Sequence, residues 1–235
     1  QNTATGVVLN DSQSTTIENN SMDADLYGVE IPTGRDILVR NNDMRDMTQM
    51  GVSTGNTALP FGHNITIVNN NITDTNTFGI SAFRLNSTIV LGNRVLNTGL
   101  SGILVQDVST SLVAGNQIND TTETGVFVFR SNESRVENNT FSNDDLYGID
   151  VAEARGVNVS NNTLIDVLFI SLRGMNVTNA RYFGNIVYTT GTYGMYLYNV
   201  NGSLFENNTI NGTNQGGITL VNSSSDVVQN NTVRD

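Results

Sequence analysis

The chain contains no cysteine and no lysine, and its 235 residues include a single histidine, His63. Without cysteine the fold owes nothing to disulfides or thiolate metal sites, and the redox compartment leaves no trace in the sequence. Without lysine, all 11 basic residues are arginine, set against 22 acidic ones for a net charge of −11. That balance excludes a nucleic-acid surface, which needs clustered positive charge to displace counterions from phosphate. It also argues against binding to anionic lipid, and it suits adaptation to salt. No apolar run approaches the roughly eighteen residues of a membrane-spanning helix, and residues 1–20 lack the basic-then-apolar profile of a signal peptide. The expectation is a soluble chain, mature or excised, with no membrane insertion in this segment.

What the sequence has in abundance is asparagine. About sixteen Asn-x-Ser/Thr sequons occur, among them the glycosylation candidates Asn64, Asn86, Asn132, Asn176, Asn201 and Asn222. They suit an extracellular or cell-surface glycoprotein, although an Asn- and Thr-rich repeat also generates sequons by itself.

The repeat is plain once the chain is aligned with itself. Glycines recur at Gly6, Gly28, Gly51, Gly79, Gly102, Gly125, Gly148, Gly194 and Gly217, mostly 23 apart, each opening an apolar alternation such as "GVFVF". An asparagine column follows: Asn20, Asn42, Asn70, Asn93, Asn116, Asn139, Asn162, Asn185, Asn208 and Asn231. The eighth unit is degenerate, with Ser171 in the glycine register. A fixed period of this length marks an array of supersecondary units. Each unit reads as two or three short strands with no apolar period of 3.6, which excludes helical repeats. A propeller blade needs about forty residues, nearly twice this period. One coil per unit remains, giving an all-β solenoid, a single-stranded right-handed parallel β-helix of about ten coils of ~23 residues. Residues 1–235 form one domain without evident end caps, with a loop insertion in 51–64. The inward positions, one and three residues after each glycine, hold Val, Ile, Leu or Met, and the asparagines are expected to pass amide hydrogen bonds from coil to coil.

The unit "YGMYLYNVNGSLFENNTINGT" and its sisters resemble the parallel β-helix repeats of NosD-like and pectate-lyase-like surface proteins. That resemblance implies the fold and, among its members' activities, polysaccharide lyases, epimerases, hydrolases, tail spikes and surface proteins without chemistry. Fold alone does not choose between them. Any chemistry is expected on the outward positions, which recur in columns from coil to coil. Two residues past the glycine register, Asp150, Arg173 and Tyr196 fall on successive coils; with Phe83, Phe127, Phe129 and Tyr198 they offer a carboxylate, a guanidinium and aromatic faces for a sugar. Tyr147 to Glu153, "YGIDVAE", is similar to the Tyr-Gly-Phe-Asp-Pro-His-Glu motif of mannuronan epimerases, but Ala152 replaces the catalytic His and Val151 the Pro. The reading with fewest assumptions makes Asp150 and Arg173 an exposed ion pair on the surface.

His63 sits in the insertion and lacks a second ligand at metal spacing. Met44, Met47 and Met50 could hold a soft copper ion but are better read as core filler. The turns Asn143–Asp145 and Asn119–Glu123 offer oxygens to calcium without the spaced carboxylates of a calcium loop. No metal and no cofactor are therefore expected. The functional expectation is a non-enzymatic extracellular structural or adhesive module, glycosylated and self-associating end to end or laterally. Its alternative is a carbohydrate-active enzyme or carbohydrate-binding domain acting on acidic polysaccharide.

Overall fold

The computed structural model describes residues 4–55 and 62–234, and every helix or strand named within them is a strand. The heart of the 51–64 insertion, residues 56–61, lies outside the described residues. One coil illustrates all. Thr124–Phe129 is followed by Arg135–Glu137 and Thr140–Ser142, and Tyr147–Ala152 then lies parallel on Thr124–Phe129. Repetition builds three parallel sheets of ten, eleven and ten strands. We call them the glycine sheet (containing Thr124–Phe129), the link sheet (Arg135–Glu137) and the asparagine sheet (Thr140–Ser142). Registers follow the sequence columns, with Phe127 against Asp150, Asp150 against Arg173 and Arg173 against Tyr196.

Each coil turns three corners, and at nearly every one a residue adopts the left-handed conformation. At the corner before the asparagine sheet these are asparagines such as Asn138 (φ 56°), Asn161 (54°) and Asn207 (55°), interspersed with Gly92 (64°), Gly115 (62°) and Gly184 (63°). Asparagine and glycine are the residues that tolerate this region at least cost. The next residue is a ladder asparagine and the one after it opens a strand, so Asn138-Asn139-Thr140 is a corner, a rung and a strand start. Several sequons are thus by-products of coil geometry.

The interior is one apolar column system. Val126, Val128, Ile149, Val151, Met195 and Leu197 are fully buried, as the alternation predicts. Met44 and Met47 belong to this core, whereas Met50 is half-buried on the glycine sheet. The glycine column exists because nothing larger fits beneath the next coil. A Cβ on Gly125 would meet Phe141 Cδ1 at 2.4 Å and the Gly148 carbonyl at 2.6 Å. Ser171 takes the same register fully buried, with its Oγ unpartnered. The asparagine ladder runs unbroken from Asn20 to Asn231, each Nδ2 donating to the Oδ1 of the next asparagine.

One buried group breaks the pattern. In the column Thr75, Thr98, Thr121, Asp144, the acid is fully buried, accepts from Thr121 Oγ1 at 2.7 Å and leaves Oδ2 without a partner. It faces the core rather than the turn, so the calcium reading of Asn143–Asp145 loses its central oxygen donor. Burial pushes its carboxyl well above the ordinary range, against the opposing pull of the Thr121 bonds. A raised folded-state pKa gives stability that is present below the unfolded value, about pH 4, and lost as pH rises through the folded one. Asp144→Thr, which continues the threonine column, is therefore expected to stabilise the protein by about 1–3 kcal/mol at pH 7. Urea titrations at pH 3.5 and 7 check this: the gain should shrink at the lower pH, and an equal gain at both would refute the charge argument.

Candidate functional site

The outer face of the glycine sheet brings together the groups singled out above, and it contains one column that counting from the glycines overlooked. Tyr147, Ile170 and Tyr193 precede the glycine register on consecutive coils and also face outward. The signal was present as Tyr-Gly pairs at 27, 147 and 193.

Asp150 is only 2% exposed, which corrects the expectation of a surface ion pair. Arg173 grips it as a fork, Nε to Oδ1 at 2.9 Å and Nη2 to Oδ2 at 2.8 Å. The guanidinium lies over the Tyr147 ring, 4.0 Å from its centroid. Outward direction does not produce exposure here, because Arg173 reaches across the acid and is itself covered on one face by Tyr147. The Arg173 side chain keeps 20% of its surface accessible and Asp150 just 3%. Burial raises the Asp150 carboxyl above its ordinary pKa, partly offset by the hydrogen bonds and charge of Arg173.

Beyond Arg173 stands Tyr196, its ring 5.1 Å from that of Tyr193; on the other side Tyr147 meets Phe169 at 6.1 Å. Inside the coil, Tyr182 is fully buried, stacked on Phe205 at 5.2 Å, with its hydroxyl unpartnered. Gly174 makes room for it: a Cβ there would lie 2.9 Å from the Tyr182 oxygen. Burial and then the charge of Asp150 push this phenol above its ordinary range.

The expected ligand column of Phe83, Phe129 and Tyr198 is interrupted. Gln106 separates Phe83 from Phe129, and Ala152 and Met175 separate Phe129 from Tyr198. Phe127 and Phe129 stack on each other at 5.7 Å, and Arg130, paired with Asp107, covers Phe129 at 4.4 Å. Ala152, where the epimerase motif has His, is buried, and His63 lies on the link sheet several coils away, 2.7 Å from Asn86 Nδ2. Of the sequon candidates, Asn64 Nδ2 is engaged with Asp36, while Asn132, Asn176 and Asn201 accept hydrogen bonds at Oδ1. Asn222 is exposed. Among the described residues no group of three His or acidic side chains is placed to hold a metal.

A family model described as right handed beta helix region matches residues 5–164 and 167–235, and the chain belongs to that family. No curated protein matches at the level of sequence. Among solved structures, the Agl-KA catalytic domain superposes with a TM-score of 0.69 at 13% identity, over 95% of this chain and 53% of that one. The chain thus spans about half the length of that domain. The A-module of the Azotobacter vinelandii mannuronan C-5 epimerase AlgE4 gives 0.67 at 15% identity, over 97% of this chain and 78% of the module. The Streptococcus pneumoniae surface protein and adhesin PfbA gives 0.54 at 12%, over 94% and 66%. At such identities the likeness is one of fold.

Proposed function

We propose that this chain is a non-enzymatic adhesive module of an extracellular or cell-surface protein, and that it binds glycan on the outer face of the glycine sheet through Tyr147, Tyr193 and Tyr196. The observation that carries this reading is the closed Asp150–Arg173 fork. Both carboxylate oxygens are occupied by the guanidinium, and position 152 supplies no imidazole, so the aromatic rings are the groups left to meet a ligand. Tyrosine faces stack on the apolar faces of pyranose rings while their hydroxyls meet sugar hydroxyls. The charge of Arg173 is neutralised by its partner and the chain carries −11 overall, which favours neutral over acidic polysaccharide.

A second reading, a lyase- or epimerase-like enzyme on acidic polysaccharide, draws support from the raised carboxyl of Asp150 beside Arg173 and Tyr196. Calorimetry with neutral and uronic oligosaccharides, followed by product analysis, separates the two. Tyr196→Ala is expected to weaken neutral-glycan binding roughly three- to tenfold, the worth of one aromatic contact, with no product formed. Turnover of a uronan that Asp150→Asn abolishes would replace the adhesive reading with the enzymatic one. Lateral self-association competes for the same face, and sedimentation with and without sugar distinguishes it: a dimer that sugar fails to dissociate argues against glycan. Glycans on Asn132, Asn176, Asn201 and Asn222 would sheath the corner between the glycine and link sheets and leave the tyrosines open.

A further inference from the structure

We infer that the corner between the asparagine and glycine sheets carries a second sugar subsite, which takes a neutral pyranose unit of the same glycan; the inference rests on the glycan-binding reading above. A groove of about 540 Å³ runs there along residues 166–168, 189–191 and 212–214. It opens at one glycine, Gly212, where an added Cβ would come no nearer than 3.6 Å to any neighbour. The left-handed corner column reads Asn97, Asp120, Asn143, Asp166, Thr189 and then Gly212, with φ between 53° and 68° throughout. The side chain that fills the corner elsewhere is missing at Gly212. In the neighbouring column Gly191 lies against the backbone of Leu168, where a Cβ would strike the Leu168 carbonyl at 1.7 Å, so that position admits no side chain to cover the groove. Leu168 stands over the resulting trough 63% exposed, and Phe169 beside it is 41% exposed.

The lining selects a ligand class. One wall is apolar, the rim carries the Thr189 hydroxyl, Asn214 and the Asp166 carboxylate, and no arginine lines the groove. An apolar face with hydroxyl edges is the profile of a pyranose, and a volume of this order is typical of small-molecule sites. A free carboxylate without a cation disfavours an acidic sugar. Phe169 joins the groove to the tyrosine face through its contact with Tyr147 at 6.1 Å, so one chain of several units can lie on both.

Two variants test the subsite without disturbing the coil. Gly212→Asn plugs the floor while keeping the left-handed conformation, as Asn97 and Asn143 do in the same column. Leu168→Thr removes the wall and matches Thr122 two coils earlier. Binding is measured by calorimetry with hexasaccharides and disaccharides of glucose, mannose and galactose. The expected result is about a tenfold loss of hexasaccharide affinity in both variants, with disaccharide binding unchanged, while Tyr196→Ala weakens both. If the two variants bind hexasaccharide like wild type and Tyr196→Ala does not, the corner subsite is overturned and the tyrosine face stands. If Tyr196→Ala is silent and the corner variants lose binding, the tyrosine-face reading falls instead. A wild-type protein that binds none of these sugars overturns both and leaves the groove to a protein partner.

Discussion

Asn139→Ala is expected to destabilise the protein by roughly 3–5 kcal/mol, several times the cost of an ordinary surface change. Asn139 Oδ1 accepts from the Asn116 backbone N–H and from Asn116 Nδ2, both at 2.9 Å. Its Nδ2 donates to the Val113 carbonyl at 2.9 Å and to Asn162 Oδ1 at 3.0 Å. All four contacts are buried, and truncation to a methyl leaves the Asn116 N–H facing a void that offers no acceptor. Each orphaned group costs about 1–3 kcal/mol, which sets the range. Asn231 in the last rung is half-buried and donates only to backbone carbonyls, so Asn231→Ala should cost distinctly less. Urea unfolding of both variants provides the comparison; equal losses would mean that the ladder acts through something other than buried hydrogen bonds.

The second large effect is expected at Arg173. Removing one member of a buried ion pair strands the other, at a typical cost of about 3–5 kcal/mol. Because Arg173 retains some exposure, Arg173→Ala should fall near the lower end. The penalty arises from charged Asp150, whose folded-state carboxyl already sits above its ordinary value and rises further once the guanidinium is gone. Such a group is protonated in the folded state at low pH, so the loss should be small below about pH 4 and fully present at neutrality. Replacing both residues by apolar ones, Asp150→Leu with Arg173→Met, should restore most of the stability. A double variant as unstable as Arg173→Ala would show that the pair is needed for more than mutual neutralisation.

These two sites differ in how well the sequence announces them. The ladder asparagines and the glycines were legible because coil stacking imposes a period, and both columns answer to backbone constraints that few other residues meet. Asp150 was placed correctly in its column and wrongly in water. Alternation says which way a side chain leaves the sheet, but not that Arg173 and Tyr147 will close over it. Asp144 was misplaced for a different reason. It was read as part of a turn, but Asn143 is left-handed (φ 57°) and resets the inward and outward alternation, which turns Asp144 into the core. The groove was invisible because it is made by one missing side chain, at Gly212, beside an exposed leucine two coils earlier. The apolar alternation, by contrast, survives in strands such as Thr124–Phe129 and Tyr193–Tyr198, which is why Val126 and Met195 were placed in the core correctly.

The ladder also gives the rod a direction. From Asn20 through Asn208 each carboxamide donates to the carboxamide of the next coil, and from Asn42 through Asn231 each accepts from the one before. Side-chain dipoles so aligned add along the axis and polarise one another. The two ends of any stretch of coils are therefore chemically unlike, one presenting carboxamide oxygens and the other amide hydrogens. A further coil, whether arising by duplication within a gene or brought by a neighbouring β-helix, can continue the ladder only in the same sense. Two like ends placed face to face would oppose acceptor to acceptor or donor to donor, so the column permits head-to-tail extension and forbids two-fold symmetric joining along the axis.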